Sequence, residues 1–143
     1  GIAVTPTLRQ VELFKDFAAQ AGEKYPVYAA TMRGMYETRR EHFEMLVDAG
    51  VLLLMGTDSG GYQDHGTIAG ELALWHQWGA PAQFTIDAAT WVSQRYLGYP
   101  GLVEGGPADF LLLNEDPRID PLALSKPSRV MLGGSTAWER TSA

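Results

Sequence analysis

Val51-Leu52-Leu53-Leu54-Met55-Gly56-Thr57-Asp58-Ser59-Gly60-Gly61 is the stretch on which the fold turns. Five apolar residues run without alternation between Gly50 and Gly56. Such a run fits a strand buried on both faces, as in a parallel sheet. A glycine-rich loop from Gly56 to Gly66 follows. In parallel α/β folds, functional groups gather at the carboxyl ends of strands, and Asp58 stands at such an end. An Asp there can ligate a cation or accept a proton from a bound water. It can equally cap the turn that follows.

Upstream, Ile2 to Thr5 is a short β-prone run stopped by Pro6. Leu8, Val11, Phe14 and Phe17 then recur every three residues, which predicts an amphipathic helix to about Ala21, ended by Gly22. Residues 23–34 carry Pro26 and Gly34 and read as a loop or broken helical turn. A helix from about Met35 to Ala49 comes next, with Arg39, Arg40, Glu41 and Glu44 toward water. Downstream of the loop, a helix from about Thr67 to Trp78 turns Ile68, Leu72 and Trp75 inward. Pro81 can open a further helix that carries Phe84, Ala88, Trp91, Val92 and Leu97 and stops at Gly98. Beyond Gly98, short β runs appear at Leu102-Val103, Phe110 to Leu113 and Arg129 to Leu132. Strand–helix alternation of this kind implies parallel βαβ units.

The chain has 143 residues, 45% apolar and 20% charged, which is globular rather than disordered. Its formal charge is −6, with no cluster of Lys and Arg. That argues against a nucleic-acid surface and against an anionic membrane surface. The strongest apolar run has five residues, where a membrane span needs roughly 20. With no Cys, disulfide frameworks, thiol catalysis and Cys-based zinc fingers are excluded. The chain opens at Gly1, without Met, directly on the first β-prone run, and the expectation is a piece of a longer polypeptide.

Asp58-Ser59-Gly60-Gly61 also resembles the segment around the nucleophile of chymotrypsin-like serine proteases, which would make Ser59 a nucleophile. Helical flanks, the lack of Cys, and Thr57 in place of a glycine oppose that reading. The His residues are His42, His65 and His76. His42 and His76 read as surface histidines on helices. His65 shares the loop with Asp58 and has Asp64 beside it; a substrate contact and a solvated loop residue both remain open. No His-x-His pair and no His-Glu-x-x-His helix exists, whereas a catalytic zinc normally takes three protein ligands. The residues alone therefore supply one good ligand, Asp58.

Several motifs in order resemble the metal-dependent amidohydrolase superfamily, in its imidazolonepropionase-like and prolidase-like branch. Val4-Thr5-Pro6-Thr7-Leu8 looks like the segment of barrel strand seven. Asp48-Ala49-Gly50-Val51 through Gly56-Thr57-Asp58-Ser59-Gly60 looks like strand eight with its Asp. Gly70-Glu71-Leu72, Ala88-Ala89-Thr90, Gly101 to Phe110, and Asp116-Pro117 with Val130, Gly133 and Gly134 match later motifs. Ala69 stands where the family often has a His.

The resemblance implies an α/β fold class: the C-terminal part of a (β/α)8 TIM barrel, strands seven and eight with their helices, plus the C-terminal strands of a small β-sandwich. Residues 1–98 would be the barrel part and 99–143 the β-sandwich part. It implies a hydrolase of C–N bonds, amide or cyclic amide, working through a water activated by a divalent metal, zinc. Asp58 would be the metal ligand and catalytic residue, with Thr57, Ser59 and His65 adjacent to a small-molecule substrate. The other ligands would lie upstream, so the chain alone is expected to be inactive. It is expected to associate with itself or with the missing part of the barrel. The alternative is a non-catalytic α/β interaction module or remnant without metal.

Overall fold

The computed structural model describes residues 2–141; residues 1, 142 and 143, at the outer ends of the two expected domains, lie outside it. The chain packs as two compact units, Gly1–Ala80 and Pro81–Ala143. It is a mixed α/β protein.

The first unit is tied by a parallel bridge between Val4 and Leu53. Val4 donates its N–H to the Leu52 carbonyl at 2.9 Å, and Leu54 donates to the Val4 carbonyl at 2.9 Å. The expected strand Val51 to Met55 is thus reduced to one bridge, and it is not buried on both faces. Leu53 is 2% exposed but Leu52 is 43% exposed. A strand is buried on both faces only when layers cover both, and among the described residues just one side of this segment is covered.

Four helices connect the bridged segments: α1 (Leu8–Val11), α2 (Phe14–Ala21), α3 (Pro26–Glu37) and α4 (Arg39–Asp48). The single helix expected up to Ala21 is broken after Val11, where Leu13 donates to Gln10, one residue short of the α-helical partner. Gly22 ends α2 as expected, with φ 50°. The expected loop or broken helical turn over residues 23–34 is non-helical only as far as Tyr25 and is helix from Pro26 onward. Pro26 opens α3, because its fixed φ suits the first turn and its missing N–H costs nothing there. Met35 and Tyr36 therefore belong to α3, and α4 begins only at Arg39. Arg39 is not a water-facing side chain. It pairs with Glu12, donates to the Tyr36 carbonyl at 2.6 Å, and lays its guanidinium 3.7 Å from the Tyr36 ring centre.

Helix α5 (Ile68–Gln77) follows the glycine-rich loop. Leu72 and Trp75 are buried as expected, but Ile68, on the first turn, is 47% exposed. The core of this unit includes an aromatic cluster: the Phe43 ring lies 5.1 Å from that of Trp75 and 6.1 Å from that of Trp78. At those separations tilted rings gain edge-to-face attraction beyond their buried area.

In the second unit α6 (Ala82–Ala89) starts just after Pro81, and α7 (Trp91–Tyr96) is separated from it at Thr90. Thr90 leaves helical geometry at φ −130°, ψ −98°, and its hydroxyl donates back to the Ile86 carbonyl at 2.6 Å. Trp91 and Leu97, expected on the apolar side, are 45% and 67% exposed. Strands β1 (Phe110–Leu112), β2 (Arg129–Leu132) and β3 (Ser135–Glu139) form an antiparallel sheet in the order β1-β2-β3. Leu102-Val103, expected as strand, lies in an exposed loop. The hairpin from β2 to β3 turns on Gly133 and Gly134, with φ 55° and 76°. Two consecutive positive φ angles are what a tight type I′ hairpin turn demands.

Candidate functional site

Asp58 follows the Leu53 bridge, beyond Gly56 and Thr57, at the carboxyl end of its segment. Gly56 is needed for that exit: a Cβ there would stand 2.7 Å from Thr5 Cγ2. Asp58 itself has φ 53°, in the left-handed region. Among the described residues the other non-glycine with positive φ is Thr7, at 46°, three positions past Val4. Both bridged segments thus end on a residue held in a sparsely populated conformation. Such strain persists only where surroundings over-determine it, and it concentrates at functional sites.

Those surroundings are hydrogen bonds. Thr57 Oγ1 and Ser59 Oγ meet at 2.7 Å, bridging across Asp58. Ser59 Oγ continues to Thr67 Oγ1 at 3.0 Å, on the residue that precedes α5. Buried Gln63 donates from Nε2 to the Thr57 carbonyl and to Gln10 Oε1 on α1, each at 2.9 Å. Gly60 donates its N–H to the Gln63 carbonyl at 3.0 Å. The loop is fixed from within, and Asp58 is left exposed. Thr57 and Ser59, expected beside a substrate, shape the loop through their hydroxyls.

His65 is exposed, and its ring lies against Gly60, where an added Cβ would stand 3.2 Å from Cε1. The other His residues do not join it. His42 is exposed on α4, with Thr38 Oγ1 at 3.4 Å from Nδ1, and His76 is exposed on the last turn of α5.

The most buried ionisable group is Glu71 on α5, 0% exposed. Its Oε1 accepts the Leu8 N–H at 2.9 Å and the Trp75 indole N–H at 2.9 Å; its Oε2 accepts the Arg9 N–H at 2.8 Å. Burial pushes its pKa above the ordinary carboxylate range, against the pull of the Arg9, Leu8 and Trp75 donors and of the Arg9 charge. Gly70 makes room for Arg9, since a Cβ there would lie 3.0 Å from Arg9 Cδ and Nε. Sequence reasoning assigned Glu71, Gln63 and Thr67 no part in the site. The available signal was a Glu one turn before Trp75, on the buried stripe of α5 rather than on its wet face.

Among the described residues no three His, Asp or Glu side chains gather into a group able to hold a metal. Asp58 is suitable as one oxygen ligand, exposed and beyond the end of the bridged segment. A catalytic zinc needs about three, so this chain does not fit a whole metal site.

No family model matches the sequence. The chain is 40% identical over 136 residues to uncharacterised proteins of Mycobacterium bovis and Mycobacterium tuberculosis, covering 95% of this chain and 36% of each relative. Among solved structures it resembles a Xaa-Pro dipeptidase with bound methionine in its active site, with TM-score 0.79 and 23% identity, covering 98% of this chain and 35% of that one. It resembles an amidohydrolase with TM-score 0.68 and 23% identity, covering 98% and 35%. It also resembles the Aspergillus niger ochratoxinase, with TM-score 0.71 and 25% identity, covering 95% and 32%. The chain thus has the fold of a segment of amidohydrolase- and prolidase-type enzymes and spans about a third of the length of its relatives.

Proposed function

We propose that the chain is the C-terminal segment of a metal-dependent hydrolase of the amidohydrolase superfamily, acting on an amide or cyclic amide C–N bond. In this reading residues 1–98 complete a barrel and residues 99–143 a β-sandwich. One observation carries it: Asp58 is an exposed carboxylate held at φ 53° at the end of a parallel-bridged segment, in a chain whose fold is shared with hydrolases of this kind.

Asp58 is then one ligand of a divalent metal, zinc, whose other ligands come from residues outside this chain. Such a metal would supply Lewis acidity toward a water, and Asp58 would be the carboxylate placed to take a proton there and pass it to the leaving nitrogen. The Thr57–Ser59 hydroxyl pair braces the backbone on either side of Asp58, and His65, on the same loop, contacts a small-molecule substrate.

The test is to express the polypeptide with the residues that precede Gly1 in its reading frame and assay an amide panel with added zinc. The expected result is turnover that Asp58→Asn abolishes, with zinc content reduced, and no turnover from the 143-residue chain alone. Full activity in Asp58→Asn would overturn the assignment of Asp58. Metal-dependent turnover by the short chain would overturn its reading as a segment.

A further inference from the structure

The Glu71 carboxylate is fully buried, and its hydrogen bonds go to Leu8, Arg9 and Trp75 rather than to the Asp58 loop. A buried carboxylate is costly unless its oxygens are well satisfied, and here the donors come from two places. Trp75 lies on the same helix as Glu71, and the Leu8 and Arg9 amides open α1. The first turn of α1 follows Thr7, the strained end of the first bridged segment. Glu71 therefore fastens the end of one bridged segment to the helix that follows the other.

From α5 the connection runs on to Asp58. Thr67 Oγ1 meets Ser59 Oγ at 3.0 Å, and Ser59 Oγ meets Thr57 Oγ1 at 2.7 Å. A second link leads back to α1, through Gln63 to Gln10 at 2.9 Å. The two links close a ring of hydrogen bonds: α1, Glu71, α5, Thr67, Ser59, Thr57, Gln63 and α1 again. Asp58 sits where that ring crosses its own backbone, between Thr57 and Ser59.

We infer that Glu71 is a positioning residue for the Asp58 loop, holding it through this ring although it lies outside the loop. The inference on loop geometry stands by itself; its bearing on catalysis rests on the hydrolase reading above. A residue that merely capped α1 would have the same contacts at Leu8 and Arg9, so the test must read the far side of the ring.

Amide hydrogen exchange on the 143-residue chain does so. In Glu71→Gln, one acceptor becomes a donor facing the Arg9 N–H. The Leu8 and Arg9 amides should exchange on the order of tenfold faster. The Gly60 amide, which bonds to Gln63, should rise with them. The amide of Ala29 in α3, bonded to the carbonyl of Tyr25 just before that helix, should not change. Faster exchange confined to Leu8 and Arg9 would overturn the inference. Where Glu71→Gln does not fold, Glu71→Asp carries the same comparison on a stem one methylene shorter, with the same overturning result. Thr67→Val cuts the ring without touching the buried carboxylate. It should free Gly60 and leave Leu8 and Arg9 protected; an unchanged Gly60 would again overturn the inference.

In the longer polypeptide, Thr67→Val should lower kcat while leaving KM unchanged. Absence of metal-dependent turnover in the unmodified polypeptide would sink the hydrolase reading alone, and the exchange results would still decide the role of Glu71.

Discussion

Gly56 and Thr5 approach so closely that a Cβ on the glycine would stand 2.7 Å from Thr5 Cγ2. The contact lies beside the Val4–Leu53 bridge, and the Thr5 side chain would have to give way to any added Cβ. Gly56→Ala should cost about 1–3 kcal/mol, the usual range for overpacking. Thr5→Ser removes the opposing methyl, and in the Gly56→Ala background it should recover most of that loss. A urea double-mutant cycle measures the coupling, and additive effects would contradict the contact.

Asp58 is held at φ 53°, a conformation Asp and Asn visit with help and Gly adopts freely. Stability should therefore rank Asp58→Gly and Asp58→Asn at or above the parent chain. Asp58→Ala should be lower by about 1 kcal/mol. Relief of strain in the glycine variant is partly offset by about 0.5–1 kcal/mol of extra chain entropy in its unfolded state. Thermal or urea unfolding gives the order. A parent chain more stable than both Gly and Asn variants would show that the carboxylate earns its place structurally.

Glu71 predicts a pH dependence of the unfolding free energy with a definite sign. Its folded pKa is raised by burial above the ordinary range of a glutamate. The folded state then holds its proton at pH values where the unfolded chain has lost it. The stability linked to this group is fully present below the ordinary Glu range and falls as pH rises through the raised folded pKa. Urea unfolding between mildly acidic and neutral pH should show this slope, and Glu71→Gln should lack it. Identical slopes in the two proteins would mean that Glu71 ionises inside the fold without penalty.

Leu52 is 43% exposed on the segment that bears the parallel bridge. We expect the chain to associate with itself at micromolar concentration, with a sedimentation mass above 15.6 kDa. Leu52→Lys should shift that mass toward the monomer and leave the helical circular dichroism intact, since an exposed edge is blunted by Lys. A monomeric parent chain would remove the expectation.

What the sequence made legible follows from how local the deciding forces are. Leu72, Trp75 and Phe43 sit on helical stripes and are buried as their spacing requires. Gly22 ends its helix because the left-handed exit is a property of the residue itself. Pro26 misled because one proline either breaks a helix or opens one, and only the following residues decide. Strand β3 was unforeseen: Ser135 to Glu139 is exposed throughout and carries no apolar alternation. Its pairing is dictated by the Gly133-Gly134 turn. In the site, the place of Asp58 was readable from the run before it. The ring that holds it joins residues from Leu8 to Trp75 through single hydrogen bonds, and no periodic pattern encodes those.

The Val4–Leu53 bridge also sets an order of events in folding. Its two hydrogen bonds join residues separated by all of α1 to α4, and closing a loop of that size costs roughly 3 kcal/mol beyond the fixed term. Helices α2 and α3, neighbours in sequence and in space, need no such closure. They can dock on the helix-formation timescale, while the parallel pair waits until the intervening helices have shortened the span. Early in refolding Leu52, Leu53 and Leu54 are therefore unpaired together, and that is the interval in which the chain is most exposed to aggregation.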